Sequence, residues 1–245
     1  MESKERLGYL KIVILTVCVT AIISCIIVSL WPKGNEVSIT GSAQKIVKSD
    51  LVIWTSRISR REANLAPAYK KLQEDLDTVK KYLAGKGIVE NEITVSQACT
   101  ETLYEKTSDE CSSTNKIEAY NLSQVIEVKS SEVDKVTRVS REATELIGSG
   151  IQFESYAPKY FFTKLEELRP GLFAEAAKNA KEIAKDTAKS TGNKIGAMRL
   201  YEAEVFRVNP VYYSAKDCEG EGEDCETVSQ EKRVTAFVSV YFALL

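Results

Sequence analysis

The chain has 245 residues, 44% of them hydrophobic and 28% charged, which is too apolar for global disorder and allows one large domain or two small ones. It contains no histidine, which excludes a Ser-His-Asp triad, a Cys-His pair, His-ligated zinc or iron and an imidazole base near neutral pH. Thirty-three basic against 35 acidic residues, net −2, give no bulk charge that steers the chain toward nucleic acid.

From Ile12 to Trp31 run 20 residues without a charge, bounded by Lys11 and Lys33. A helix of that length reaches roughly 30 Å, the thickness of a bilayer's hydrocarbon core. A soluble core helix would need a polar face that this run lacks. Lys4, Arg6 and Lys11 precede the run and Lys33 alone closely follows it, so the positive-inside tendency keeps the N-terminus in the cytoplasm. The expectation is a cytoplasmic segment 1–11, a transmembrane signal anchor 12–31 in contact with membrane lipid, and an extracytoplasmic body 32–245. For a bacterial cell that places the body in the periplasm. Two alternatives stay open. A cleaved signal peptide would have a shorter apolar region ending in small residues. Lipidation at Cys25 has a loose Ile22-Ile23-Ser24-Cys25 lipobox behind it, but the apolar stretch continues past the cysteine. Removing the three basic and two acidic residues ahead of the run leaves 30 and 33, so the body is mildly acidic at net −3.

Alternation predicts strands at Val37–Gly41 and Leu51–Ser59, with the turn Lys48-Ser49-Asp50 between them. Apolar residues at spacings of three and four then predict a helix over 65–84, with Leu65, Tyr69, Leu72, Leu76, Val79 and Leu83 inward and Gly85 and Gly87 as its stop. Strands follow at Glu92–Tyr104 and Ile117–Val128. A second helix begins at Ser131-x-x-Asp134, close to a capping box, carries Val133, Val136, Ser140, Ala143 and Ile147 inward and stops at Gly148. A strand at Gly150–Tyr156 leads to a third helix, from near Pro170 to about Ser190. Its apolar side is rich in alanine: Phe173, Ala176, Ala177, Ala180, Ile183, Ala184 and Ala188. Strands at Gly196–Val208 and Arg233–Ala243 complete the chain. Such an order predicts an α+β fold, antiparallel β hairpins packed against three helices, in one continuous body with possible lobes 36–128 and 129–245.

The six cysteines fall into three pairs: Cys18 and Cys25 in the apolar run, Cys99 with Cys111, and Cys218 with Cys225. Outside the cytoplasm the last two pairs are disulfide candidates, closing loops of 13 and 8 residues for about 2.5–3 kcal/mol each. Free thiols and redox or metal chemistry are the alternatives, although neither spacing is C-x-x-C or a zinc knuckle. Asp217, Glu219, Glu221, Glu223, Asp224 and Glu226 surround two glycines and could attract calcium. They lack the EF-hand pattern, and a solvated hairpin tip is the plainer reading. No cofactor or metal site is assigned.

Several strings resemble the SIMPL-domain family of bacterial exported proteins. Val37-Ser38-Ile39-Thr40-Gly41-Ser42 is similar to that family's V-x-G-x-G-x strand, with Ile39 in place of the first glycine and Ser49 in place of the usual turn proline. Gly85-Lys86-Gly87-Ile88 followed by Ile93-Thr94-Val95-Ser96 resembles its turn into strand, and Tyr120 to Val128 with Asp134-Lys135-Val136 its strand and helix start. Ala176, Ala180 and Ala184 match its A-x-x-x-A-x-x-x-A helix. The likeness covers 36–245. It implies an envelope α+β protein, oligomeric ring or channel-like assembly, and association with oxidative-stress defence in some members. It carries over no catalytic residue.

The carboxylate pairs Glu142/Glu145, Glu166/Glu167 and Glu202/Glu204 lie where a solvated helix face or strand edge accounts for them, and no hydrolase or nucleotide-binding string occurs. Arg57/Arg60/Arg61 and Lys70/Lys71/Lys80/Lys81 read as solvated faces rather than nucleic-acid sites. The expectation is a membrane-anchored, non-enzymatic module that forms a homo-oligomer or binds envelope partners. A cysteine-based redox protein or a ligand- or calcium-binding protein is the alternative.

Overall fold

A computed structural model describes residues 36–106, 113–211 and 225–245, with the side chains of 106, 113, 114, 200, 203–205 and 225 left aside. The anchor expected at 12–31, Cys111, Cys218 and most of the acidic loop lie outside the described residues. Among the described residues no helix is long and apolar enough to cross a membrane. The strands are β1 (Glu36–Lys48), β2 (Leu51–Glu62), β3 (Ile93–Val95), β4 (Cys99–Lys106), β5 (Ser113–Ser130), β6 (Gln152–Ser155), β7 (Lys159–Phe161), β8 (Ile195–Pro210) and β9 (Glu231–Leu244). The helices are α1 (Leu65–Gly85), α2 (Val133–Glu142), α3 (Glu145–Gly148), α4 (Leu165–Ser190) and α5 (Cys225–Val228), with a 3-10 turn at Glu90–Glu92. The α+β class with antiparallel strands is as the sequence pattern predicts, but the described residues hold five helices where three were expected, the short α3 and α5 being additions.

Two compact units divide the described chain: one of 36–43, 173–204 and 237–245, the other of 44–172 and 205–236. The larger unit is built on a six-stranded antiparallel sheet. β5 pairs with β2 on one side and with β3 and β4 on the other, while β6 and β7 take the far side of β2. The period-2 pattern of β2 buries Val52, Trp54, Ser56 and Ile58 on one face. Trp54 stands opposite Val128 and Ser56 opposite Ile126, and both partners are fully buried. Ala68, Leu72, Leu76, Val79 and Leu83 of α1 and Val133, Val136 and Val139 of α2 close this core. Trp54 Nε1 of β2 donates to Ser155 Oγ of β6 at 3.1 Å, and that hydroxyl donates to Ser140 O at 2.8 Å, so the tryptophan ties β2 to β6 and the serine ties β6 to α2.

In the smaller unit α4 lies on a three-stranded sheet of order β1-β9-β8. Ala176, Ala180 and Ala184 are fully buried against Val238, Val240 and Phe242 of β9. The helix comes close because Gly41 of β1 has no side chain. A Cβ built there would stand 2.2 Å from the Ala176 carbonyl oxygen and 2.4 Å from the Ala180 nitrogen.

Several boundaries differ from the sequence pattern, each for a local reason. The first strand runs on to Lys48, past the expected end at Gly41. The strand expected at Glu92–Tyr104 is two strands, because Ser96 Oγ accepts the Val125 N–H at 2.9 Å and the pairing slips by one residue between Val95–Ile126 and Cys99–Ser123. β7 was not expected. Asp50 fixes the segment after it, its carboxylate accepting the Thr163 N–H at 2.8 Å and hydroxyl at 2.9 Å. In α1 the apolar stripe begins at Ala68, with Leu65 and Tyr69 left 45% and 52% exposed. Gly87, at φ +82°, then turns the chain so that the Ile88 N–H reaches Leu83 O.

The second predicted helix is two. α2 ends at Glu142, the phase changes, and Leu146 is buried where Ile147 was expected. Its start is not a capping box either: the Ser130 hydroxyl accepts the Glu132 N–H at 3.0 Å, and Asp134 pairs with Lys48 at 2.7 Å. α4 begins at Leu165 and takes Pro170 into its interior, its first turn carrying Glu166 and Glu167, which suit the positive end of the helix dipole.

Candidate functional site

Several of the singled-out charges form ion pairs. Glu142 and Glu145 both face Lys86, at 2.7 and 3.9 Å, and that ammonium holds the Glu142 carboxyl below its ordinary pKa. Glu166 stands 3.5 Å from Arg169. Glu202 is exposed on β8, and the Glu204 side chain lies outside the described residues. Among the described residues no group of three or more metal-ligating side chains comes together. The basic patches meet carboxylates too: Arg57 with Glu154 at 3.8 Å, Arg61 with Glu118 at 2.6 Å and Lys70 with Glu74 at 4.0 Å. Lys71 reaches Glu62 at 2.5 Å. Cys99 is exposed at the start of β4, opposite Ser123. Its expected partner Cys111, Cys218 and the Cys225 side chain lie outside the described residues.

An open groove of about 650 Å³ runs along β6, lined by Ser59, Arg61, Asn121, Gln152 and Glu154. Its polar groups bind one another or close neighbours. Ser59 donates to Gln152 at 3.3 Å, Asn121 to Glu101 at 3.2 Å, and Arg61 to Glu118. No nucleophile with an adjacent base lines this groove among the described residues.

One interior ion pair was not anticipated. Arg60 of β2 grips both carboxylate oxygens of Asp75 on α1, through Nε to Oδ2 and Nη2 to Oδ1, the latter at 2.7 Å. Asp75 is 6% exposed, and the hydrogen bond raises the Arg60 pKa further above its ordinary value. The signal was present, since Asp75 interrupts the apolar stripe between Leu72 and Leu76 and a buried carboxylate needs a cation. Its role is structural.

The feature best suited to recognition is a strand edge. Among the described residues β8 is an outermost strand of the three-stranded sheet and runs 16 residues. Its segment Ala197, Met198, Arg199, Tyr201 and Glu202 is exposed throughout, Met198 at 58% and Tyr201 at 41%. A long edge with apolar side chains presents backbone donors and acceptors to another strand. The opposite edge, β1, is partly closed: Asn179 Oδ1 of α4 accepts the Ser42 N–H at 3.1 Å.

Together these features define an α+β sheet-and-helix module in which β8 is an outermost strand among the described residues. A profile of the SIMPL family, described as proteins of unknown function (DUF541), matches residues 37–242, and the chain belongs to that family. A relative in Xenopus laevis, "Interleukin-1 receptor-associated kinase 1-binding protein 1 homolog", is 26% identical over 176 residues, 71% of this chain. The match spans 65% of that relative's own length. Among solved structures, a hydantoinase/carbamoylase family amidase from Burkholderia ambifaria aligns over 55% of this chain and 34% of its own, at 15% identity and a TM-score of 0.26, too low to carry an argument about fold or activity.

Proposed function

We propose that this SIMPL-family chain is a membrane-tethered, non-enzymatic module that assembles with copies of itself through the β8 edge. The span 12–31 holds it in the cytoplasmic membrane, with the N-terminus inside and the body outside. The observation that carries the reading is the exposure of Ala197, Met198, Arg199, Tyr201 and Glu202 on β8, an outermost strand of its sheet among the described residues. An extracytoplasmic role in envelope defence follows from the resemblance and rests on the same assembly. The name of the frog relative gives that protein a protein-binding role, in keeping with a binding module rather than an enzyme.

Light scattering on the full-length chain in detergent tests the proposal. A discrete oligomer is expected, and a strictly monomeric species would overturn it. Protease added to intact cells should degrade the body once the outer barrier is opened. A body protected until the cytoplasmic membrane is breached would contradict the orientation.

A further inference from the structure

β9 buries every second residue, and Val234, Ala236 and Val238 are fully buried. Lys232 falls on the same register and is 2% exposed. A lysine held there is costly unless its ammonium is compensated. Its Nζ donates to the backbone oxygen of Glu226 in α5, one acceptor for a group with three donors. Burial pulls the Lys232 pKa below the ordinary lysine value, and the negative charge of Glu226 only partly opposes this.

Lys232 borders a partly open cavity of about 150 Å³ walled mainly by Tyr160, Phe161, Phe162, Leu165 and Val208, with Glu226 and Thr227 beside the lysine on its polar side. The Tyr160 hydroxyl is already engaged with Thr137 Oγ1 at 3.0 Å, so that ring turns its apolar body rather than its oxygen to ligands. An apolar space of roughly 150 Å³ takes a guest the size of benzene. A desolvated lysine beside such a space has the properties of an amine nucleophile for carbonyl carbon.

We infer that the cavity at Lys232 binds small apolar aldehydes and that the Lys232 amine captures them as imines. The amine nitrogen attacks the carbonyl carbon, a C–N bond forms, and the carbonyl oxygen leaves as water with both amine hydrogens. C=N replaces C=O, with no oxidant or reductant involved. Val208 lines the cavity from β8, outside the exposed residues Ala197, Met198, Arg199, Tyr201 and Glu202, and the imine chemistry does not depend on assembly.

Benzaldehyde with sodium cyanoborohydride tests this on the full-length chain at pH 7, since hydride reduction fixes an imine as a benzylamine that peptide mapping locates. Lys232 should carry the benzyl group several-fold more than exposed Lys45 and Lys185, because the cavity holds the guest beside it and burial lowers its pKa. Lys232 left unmodified, or modified no more than those two, overturns the inference and leaves Lys232 as a cap on the Glu226 carbonyl. Val208→Trp keeps the lysine and fills the cavity. It should abolish the selective labelling, and undiminished labelling in that variant would likewise overturn the assignment.

Discussion

The sheets of the two units end differently. In the larger unit the outer strands are guarded: β6 has four residues, β7 and β3 three each, and β4 changes register at Leu103/Tyr104 and again at Tyr104/Lys106. Charges along β4 are paired, Glu101 with Asn121 and Glu105 with Lys116. Short strands, bulges and charge are the usual means of keeping an edge single. In the smaller unit β1 is partly closed by Asn179 of α4, while β8 presents Met198 and Tyr201 interspersed with the exposed charges Arg199 and Glu202. In the proposed assembly β8, the longer of these edges, is the one that pairs.

The largest expected effect comes from prying α4 off the closed edge. Gly41→Ala puts a Cβ 2.2 Å from a backbone oxygen, where no side chain can yield, and should lower unfolding stability by about 3 kcal/mol or more. Thermal denaturation followed by circular dichroism measures it, and a loss below about 1 kcal/mol would show that the helix does not rest on β1 as described. Asp75→Ala strikes the larger unit by stranding Arg60. With a quarter of the Arg60 side chain exposed, the loss should be about 2 kcal/mol in urea unfolding. Asp75→Ala and a variant that also carries Arg60→Met should differ in favour of the double change, because it removes the uncompensated cation.

Opening or closing β8 should leave folding almost untouched. Met198→Lys with Tyr201→Lys places charge on the open edge and should change stability by about 0.5 kcal/mol or less while dissolving the oligomer. Tyr104→Lys on guarded β4 should leave the oligomer whole. If the β4 change disperses it and the β8 pair does not, the two edges have been assigned in the wrong order.

The smallest effect is electrostatic. The Lys86 ammonium holds the Glu142 carboxyl below its usual pKa of 4.5, so the folded state carries fewer protons than the unfolded state just below that pH. The contribution is present above about pH 4.5 and fades as pH falls through the lower folded value. Lys86→Met should therefore flatten the fall in melting temperature between about pH 5 and 3, and an unchanged slope would count against the pair.

Much of this architecture is legible in residue spacing. The alternation of β9, the alanines at 176, 180 and 184, and Gly41 all occupy the places that their pattern implies, because close helix–sheet approach demands small residues on both partners. Elements governed by single side-chain bonds were not legible. Ser96 breaking one strand into β3 and β4, and Asp50 bracing the chain after β7, act through partners remote in sequence. Arg60, Asp75 and Lys232 were visible as charges but not as interior ones. Each stands on an otherwise apolar register, so reading β2, α1 and β9 for charges out of phase would have found them. The β8 edge needed the strand order, since alternation alone does not say which strand is outermost.

Concentration-dependent hydrogen exchange compares the two edges within one sample. As the full-length chain is concentrated through its association range, backbone amides in 195–202 should become protected while those of Cys99–Lys106 keep their rates. Unchanged exchange on β8, or protection gained on β4 instead, would contradict assembly through the open edge.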